Sequence, residues 1–245
     1  MPDYLAVVRQ HYPSAVTTVA AVDQLFDVLA EQLRLQPHQI MHADSLCSDD
    51  VNSLEYPPRA REMLGPFNMG GLNGFPFTGL TGMGAFAHHV PDDGAVFVFY
   101  GPHIGITSQG EVGRIRRRGQ HEASACCGAA QAALSKLQQG GIHPGDITEL
   151  DYQQNTIEQI FLRQQARITQ APIPLLAATD VMYEAIEERI NLLANCTEYP
   201  CRYLILAGAI LINGDDDAGS FCAYRRFDVL DLTARTSRNL LAYVV

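Results

Sequence analysis

No run of this 245-residue chain is both long and apolar enough to cross a bilayer. The most apolar stretch, Tyr203 to Ile212, has ten residues, about half of the roughly 20 that a spanning helix needs. Basic residues are scarce: 17 Lys and Arg stand against 27 Asp and Glu, a formal net charge of -10. A chain this acidic is repelled by phosphate backbones and anionic lipid heads, so neither nucleic acid nor a membrane is an expected partner. The one basic run, Arg114 to Arg118, is too short to reverse that. Met1-Pro2-Asp3-Tyr4 opens no basic, then apolar, signal segment, and no Arg/Ser-rich transit composition follows. The expected location is the cytoplasm, or an organelle stroma if a leader has been removed. A Cys-x-x-Cys pair is missing, and adjacent Cys126 and Cys127 make a strained disulfide, which argues against a thiol-redox protein. The Gly-Lys-Ser/Thr ending of a phosphate-binding loop is missing too.

The residues that are present describe a globular chain. Hydrophobic residues make up 47% and charged residues 18%, enough apolar material for the core of a single domain. Apolar spacing predicts a helix over 15–35, a packing or subunit-contact element, within an N-terminal helical region at 1–38. The catalytic core is expected at 39–245. There, a short strand at Gln39-Ile40-Met41 leads into a polar loop, and Ala95 to Tyr100 reads as a strand buried on both faces. Ser124 precedes a helix over about 125–139 closed by Gly140-Gly141. Longer helices are expected at about 153–169 and 174–194, then a terminal hairpin, Arg202 to Ile212 and Ser220 to Leu230. Strands alternating with helices predict an α/β fold: one domain, a mostly parallel sheet with an antiparallel edge, helices on its flanks.

Between Gly65 and Gly84 the composition shifts. GPFNMGGLNGFPFTGLTGMG is dense in glycine yet carries Phe67, Phe75, Phe77, Leu72, Leu80 and Met83. A flexible linker would be polar and Ser-rich, so this segment is expected to fold over a site and wall it. Three chemically able residues, Cys47, His103 and Cys127, stand at strand ends or a helix start, where sites form in α/β sheets. Two thiolates and an imidazole suit Zn²⁺ and leave its fourth tetrahedral position free. Their spacing is long and irregular, and spacing alone equally permits two buried thiols and a strand-end histidine with no metal. Cys127 starts a helix, where the dipole favours a thiolate, and Asp49 lies two residues beyond Cys47.

Cys47-Ser48-Asp49 resembles the Cys-x-Asp motif of β-type carbonic anhydrases, and Cys127-Gly128-Ala129 is similar to the step after their second cysteine ligand. GGLNGFPFTGLTGMGAFAHHVPDDG (Gly70 to Gly94), GPHIGI (Gly101 to Ile106) and SACCGA (Ser124 to Ala129) together resemble the low-CO2-inducible protein B/C family, the theta-class carbonic anhydrases. That resemblance implies a β-carbonic-anhydrase-like sheet, a homodimer, CO2 and bicarbonate as substrates, and Zn²⁺ on Cys47, His103 and Cys127, with Cys126 as the competing third ligand. A silent zinc-binding relative, serving as an assembly or CO2-handling partner, is the alternative. β-Type enzymes pair the motif Asp with an Arg two residues on; here that position is Val51. The partner of Asp49 is then expected to be Arg61, with Arg59 and Arg118 next in order. Phe75, Phe77, Leu80 and Phe86 are candidates to line an apolar CO2 pocket, and His88, His42 and His89 to shuttle protons.

Overall fold

The computed structural model describes residues 3–52, 58–216 and 218–244. Two short elements, α1 (Tyr4–Arg9) and β1 (Val16–Thr17), precede α2 (Thr18–Leu33). Strand β2 (Ile40–Ser45) and edge strand β3 (Leu64–Asn68) come next, then α3 (Gly79–Ala87), β4 (Ala95–Tyr100) and β5 (His103–Gly105). A small hairpin, β6 (Arg114–Ile115) and β7 (Ser124–Ala125), leads into α4 (Gly128–Gln138). Three helices follow, α5 (Tyr152–Arg163), α6 (Gln165–Thr169) and α7 (Pro174–Asn195). The chain closes with β8 (Tyr203–Asn213), β9 (Ser220–Asp231) and β10 (Thr236–Asn239).

The main sheet runs β1-β9-β8-β4-β2-β3. Strands β8, β4, β2 and β3 are mutually parallel, and β9 closes antiparallel on β8 with β1 and β10 beyond it. This is the α/β sheet with an antiparallel edge that the alternation of elements predicts. Strands β4 and β8 are nearly continuous apolar runs, and β2, though it carries His42, Asp44 and Ser45, is buried along its whole length, because both faces of the sheet are covered. Met41, Val96, Val98, Leu204 and Leu206 face a core shared with α4, α5 and α7, while Ile40, Phe97, Ile205, Ala207 and Leu211 face α2. Helix α2, capped by the Thr17 side chain on the Ala20 N–H, buries Leu25, Phe26 and Leu29 there. It is thus an inner layer of its own domain, the packing role expected of it; Val19 is its one large apolar side chain left exposed among the described residues. The helix expected over 153–169 breaks at Gln164 into α5 and α6.

Candidate metal centre

Cys47 leaves the carboxyl end of β2, where the parallel strands stop and their loops diverge. The glycine-rich loop holds it there with backbone. The Ser45 hydroxyl donates to the Gly74 carbonyl at 2.8 Å, Ser48 N–H donates to the Gly71 carbonyl at 3.3 Å, and Asn73 N–H donates to Cys47 Sγ at 3.1 Å. A Cβ on Gly70 would sit 2.1 Å from the Leu46 carbonyl oxygen, so only glycine lets the loop lie this close to the chain entering Cys47. The segment walls the site as expected, through its main chain.

His103 opens β5, which pairs with the far end of β8 so that His103 lies opposite Leu211. Its Nδ1 is 2.8 Å from Asn213 Oδ1. An amide oxygen can only accept, so Nδ1 carries the proton and Nε2 presents a lone pair. Nε2 is buried without a hydrogen-bond partner. Cys127 occupies the N-cap of α4, and its Sγ lies 3.9 Å from Cys47 Sγ. The ligand atoms of Cys47, His103 and Cys127 all fall within 4.8 Å of one another, and all three residues are buried. A buried imidazole nitrogen with no partner is costly unless something fills it. Two soft sulfurs and one imidazole are the donor set that suits zinc. Cys126 Sγ lies 3.6 Å from His103 Nδ1, the nitrogen already taken by Asn213, which favours Cys127 over Cys126 as the third ligand, although Asp49, His103 and Cys126 also lie close enough to hold a metal.

The cluster's electrostatics fit a cation. The hydrogen bond from the Cys127 thiol, opposed by burial and aided by His103, brings Cys47 down to about 4. Cys127 is pushed up by sharing that bond with the Cys47 sulfur and by burial, so Cys47 is the first of the pair to ionise. Burial works against protonating His103, but the surrounding Cys127, Cys126 and Cys47 sulfurs outweigh it and raise the imidazole well above its usual range. A divalent cation at this cluster would take the place of the protons that the sulfurs and the imidazole otherwise share.

Asp49 is paired with Arg117, not Arg61. Arg117 Nη2 donates to both carboxylate oxygens of Asp49 at 2.9 and 3.0 Å, its Nε reaches Asp50 at 3.2 Å, and its Nη1 donates to Ser124 Oγ at 2.7 Å and the Ala125 carbonyl at 3.0 Å. Burial pushes the Asp49 carboxyl up, but Asp50, Arg117 and His103 hold it below the ordinary range. The alternatives lie elsewhere: Arg61 is exposed on the 3-10 turn Pro58–Glu62, Arg59 pairs with Asp27 at 2.6 Å, and Arg118 lines an open groove with Asp50, Val51 and Asp216. Asp49 Oδ2 is 3.9 Å from His103 Nε2.

Of the remaining candidates, Phe86 shares the buried apolar core that includes Cys47 and Cys127, and Phe75 packs against that core. Phe75 and Phe77 pack at a tilt with ring centroids 5.1 Å apart, Phe77 meets Tyr152 at the start of α5, and Phe75 faces α5 and α7. Leu80 is 52% exposed, and Phe86 is buried against Phe67. Phe75 and Phe77 meet the helical layer, and the loop reaches Cys47 through its backbone. His42 is buried against Phe97 on the α2 face, and burial brings it down to about 4, so it cannot relay protons at neutral pH. His88 and His89 are exposed just beyond α3, His89 against Phe67. Sequence reasoning missed Arg117, Asn213 and Asn73. Only Arg117 left a signal, as part of the basic run preceding the paired cysteines.

A family model described as limiting CO2-inducible proteins B/C beta carbonic anhydrases matches residues 16–231. Among solved structures, the chain is 29% identical to PtLCIB4, a homolog of the limiting CO2-inducible protein LCIB, with a TM-score of 0.81 over 96% of this chain and 98% of that one. A point mutant of PtLCIB4 aligns at 30% identity and a TM-score of 0.78, over 96% and 99% of the two chains. LCIB itself shares the fold at 20% identity, with a TM-score of 0.75 over 98% of this chain and 99% of that one. No curated protein matches the chain.

Proposed function

Because the chain belongs to the limiting CO2-inducible proteins B/C family of beta carbonic anhydrases, we propose that it hydrates CO2 reversibly to bicarbonate, using zinc held by Cys47, His103 and Cys127. The observation that carries this reading is the Asp49–Arg117 pair, whose carboxylate lies 3.9 Å from His103 Nε2 beside the three ligand atoms. A zinc ion at those ligands supplies a Lewis acid that brings the ionisation of water into the neutral range.

The chain's own groups do the rest. Asn213 fixes the His103 ring with Nε2 facing the two sulfurs. Arg117 occupies one lone-pair direction on each Asp49 oxygen and the Val51 N–H takes a second on Oδ1, so Oδ2, the oxygen nearer His103, keeps one with which to accept a hydrogen bond from the attacking water. That bond orients the water's remaining lone pair toward the carbon of CO2. Arg117 also holds Asp49 back from the ligand cluster, since an unrestrained carboxylate this close would bind the cation itself. Hydration releases one proton for each bicarbonate formed. The groove bounded by Asp50, Arg117, Asn213 and Asp215 gives that proton a polar path to solvent beside the pair.

Asp49→Asn tests the assignment. Asn keeps the shape but presents an NH2 where an acceptor is needed. Stopped-flow CO2 hydration should fall roughly ten- to a hundredfold, the effect of losing about 1.5–3 kcal/mol in the transition state. Zinc content should not change. An unchanged rate in the zinc-loaded variant removes Asp49 from the mechanism.

A further inference from the structure

The layer between α2 and the sheet is not fully packed. It encloses a cavity of about 70 Å³, against the roughly 10–15 Å³ that one water-sized guest needs. Ala21, Leu25, Phe26, Phe97 and Leu211 form much of its wall. The polar groups that reach it are mostly committed. Thr18 Oγ1 pairs with Ser220 Oγ at 2.7 Å, the Tyr224 hydroxyl donates to the Ala21 carbonyl at 3.1 Å, and His42 stacks on Phe97. One exception stands at the end nearest the metal ligands. Asn52 Nδ2 is a buried donor with no partner. Asn52 Oδ1 accepts from Asn213 Nδ2 at 3.4 Å, and Asn213 Oδ1 in turn holds His103. Two further wall residues adjoin the ligands: Leu46 precedes Cys47, and Leu211 lies opposite His103.

We propose that this cavity is a binding site for CO2, distinct from the metal ligands and abutting them through Asn52 and Asn213. A buried water needs two to four polar partners, and a single amide donor does not hold one. A small, uncharged, linear molecule suits the cavity better: its carbon rests against the apolar wall, and one oxygen accepts from Asn52 Nδ2. Thr18 and Val22 are only half-buried and give the cavity its side toward solvent. The choice of CO2 rests on the proposed function; the preference for small apolar guests rests on the cavity alone.

Crystals of the zinc-loaded protein frozen under CO2 pressure, and in parallel under xenon, test the site directly. Both gases should give density between α2 and the sheet, with a CO2 oxygen within hydrogen-bond reach of Asn52 Nδ2. Ala21→Leu, which fills the cavity from the helix side, should remove both peaks and leave zinc content unchanged. Cys222→Leu fills it from the sheet side and serves if α2 does not tolerate the first change. Ordered water or nothing in the native cavity under both gases overturns the proposal, and xenon without CO2 overturns its ligand. In the filled variant, the KM for CO2 should rise several-fold while kcat changes less than twofold; an unmoved KM in an active enzyme refutes a role for the cavity in hydration. Cavity density in a protein with no hydratase activity would instead contradict the proposed function and leave this site standing.

Discussion

Arg117 commits its guanidinium to Asp49, Asp50, Ser124 and Ala125. The account therefore predicts that Arg117→Ala keeps zinc but loses activity by roughly ten- to a hundredfold near neutral pH, whereas Arg61→Ala stays within about twofold. Arg117→Lys should not restore the rate, because one ammonium cannot replace the three guanidinium nitrogens that reach Asp49, Asp50, and Ser124 with Ala125 at once. Stopped-flow assays with zinc quantification separate these cases. A second residue-level prediction concerns His42. Burial holds it at about 4 in the folded protein, while an unfolded chain titrates near 6.5. Between those values the unfolded state binds the proton and the folded state does not. Stability should therefore fall as pH drops through that window, by up to about 3 kcal/mol. Urea midpoints for metal-free protein at about pH 7 and about pH 4.5 should differ less in His42→Gln; an equal pH slope in variant and parent would refute this. Although their places at strand ends or a helix start alone left a metal-free reading open, Cys47, Asp49, His103 and Cys127 were legible from sequence because the short motifs around them resemble those of the family. Arg117 was not, because its partnership spans 68 positions and exists only once a hairpin folds over the β2 loop.

Among the elements, β5 and the β6–β7 hairpin carry most of the site's precision. Gly105 N–H donates to the Cys126 carbonyl at 2.8 Å, and a Cβ there would lie 2.8 Å from both Cys126 Cβ and Ile115 Cγ2. Gly105→Ala should thus push the hairpin away, at a cost of about 1–3 kcal/mol, and weaken zinc binding. Gly128→Ala, at the start of α4, meets nothing within 4 Å and should leave both unchanged or slightly improved. Thermal melts and zinc titrations check the pair; equal effects from the two substitutions would argue against the crowding at Gly105. The terminal hairpin and α7 were readable because long apolar periodicity and turn residues mark them. The role of the glycine-rich loop was half readable. Its composition implied close approach to a site, but which of its atoms make that approach depends on backbone turns such as the left-handed Asn73 (φ 54°), which periodicity does not report.

At the scale of the molecule, β4 sits between β2 and β8, and that order brings the loops bearing Cys47 and His103 to one end of the sheet. Alternating elements implied a parallel sheet but not its strand order, which long-range pairing decides. Among the described residues no helix is long and apolar enough to cross a membrane. The fully exposed Leu150, with Ile147 and Tyr152 also largely exposed, leaves apolar surface ahead of α5. We propose the chain to be a homodimer: light scattering should give twice 26.9 kDa, and a mass of 26.9 kDa at working concentration would contradict it. The central claim is that this metal centre hydrates CO2, and the most direct test is stopped-flow CO2 hydration by protein shown to carry zinc, then stripped by chelator, then reloaded. The account predicts saturable hydration that disappears with the metal and returns with it. Zinc-loaded protein that hydrates CO2 no faster than buffer would contradict it and leave a silent zinc-binding member of the family.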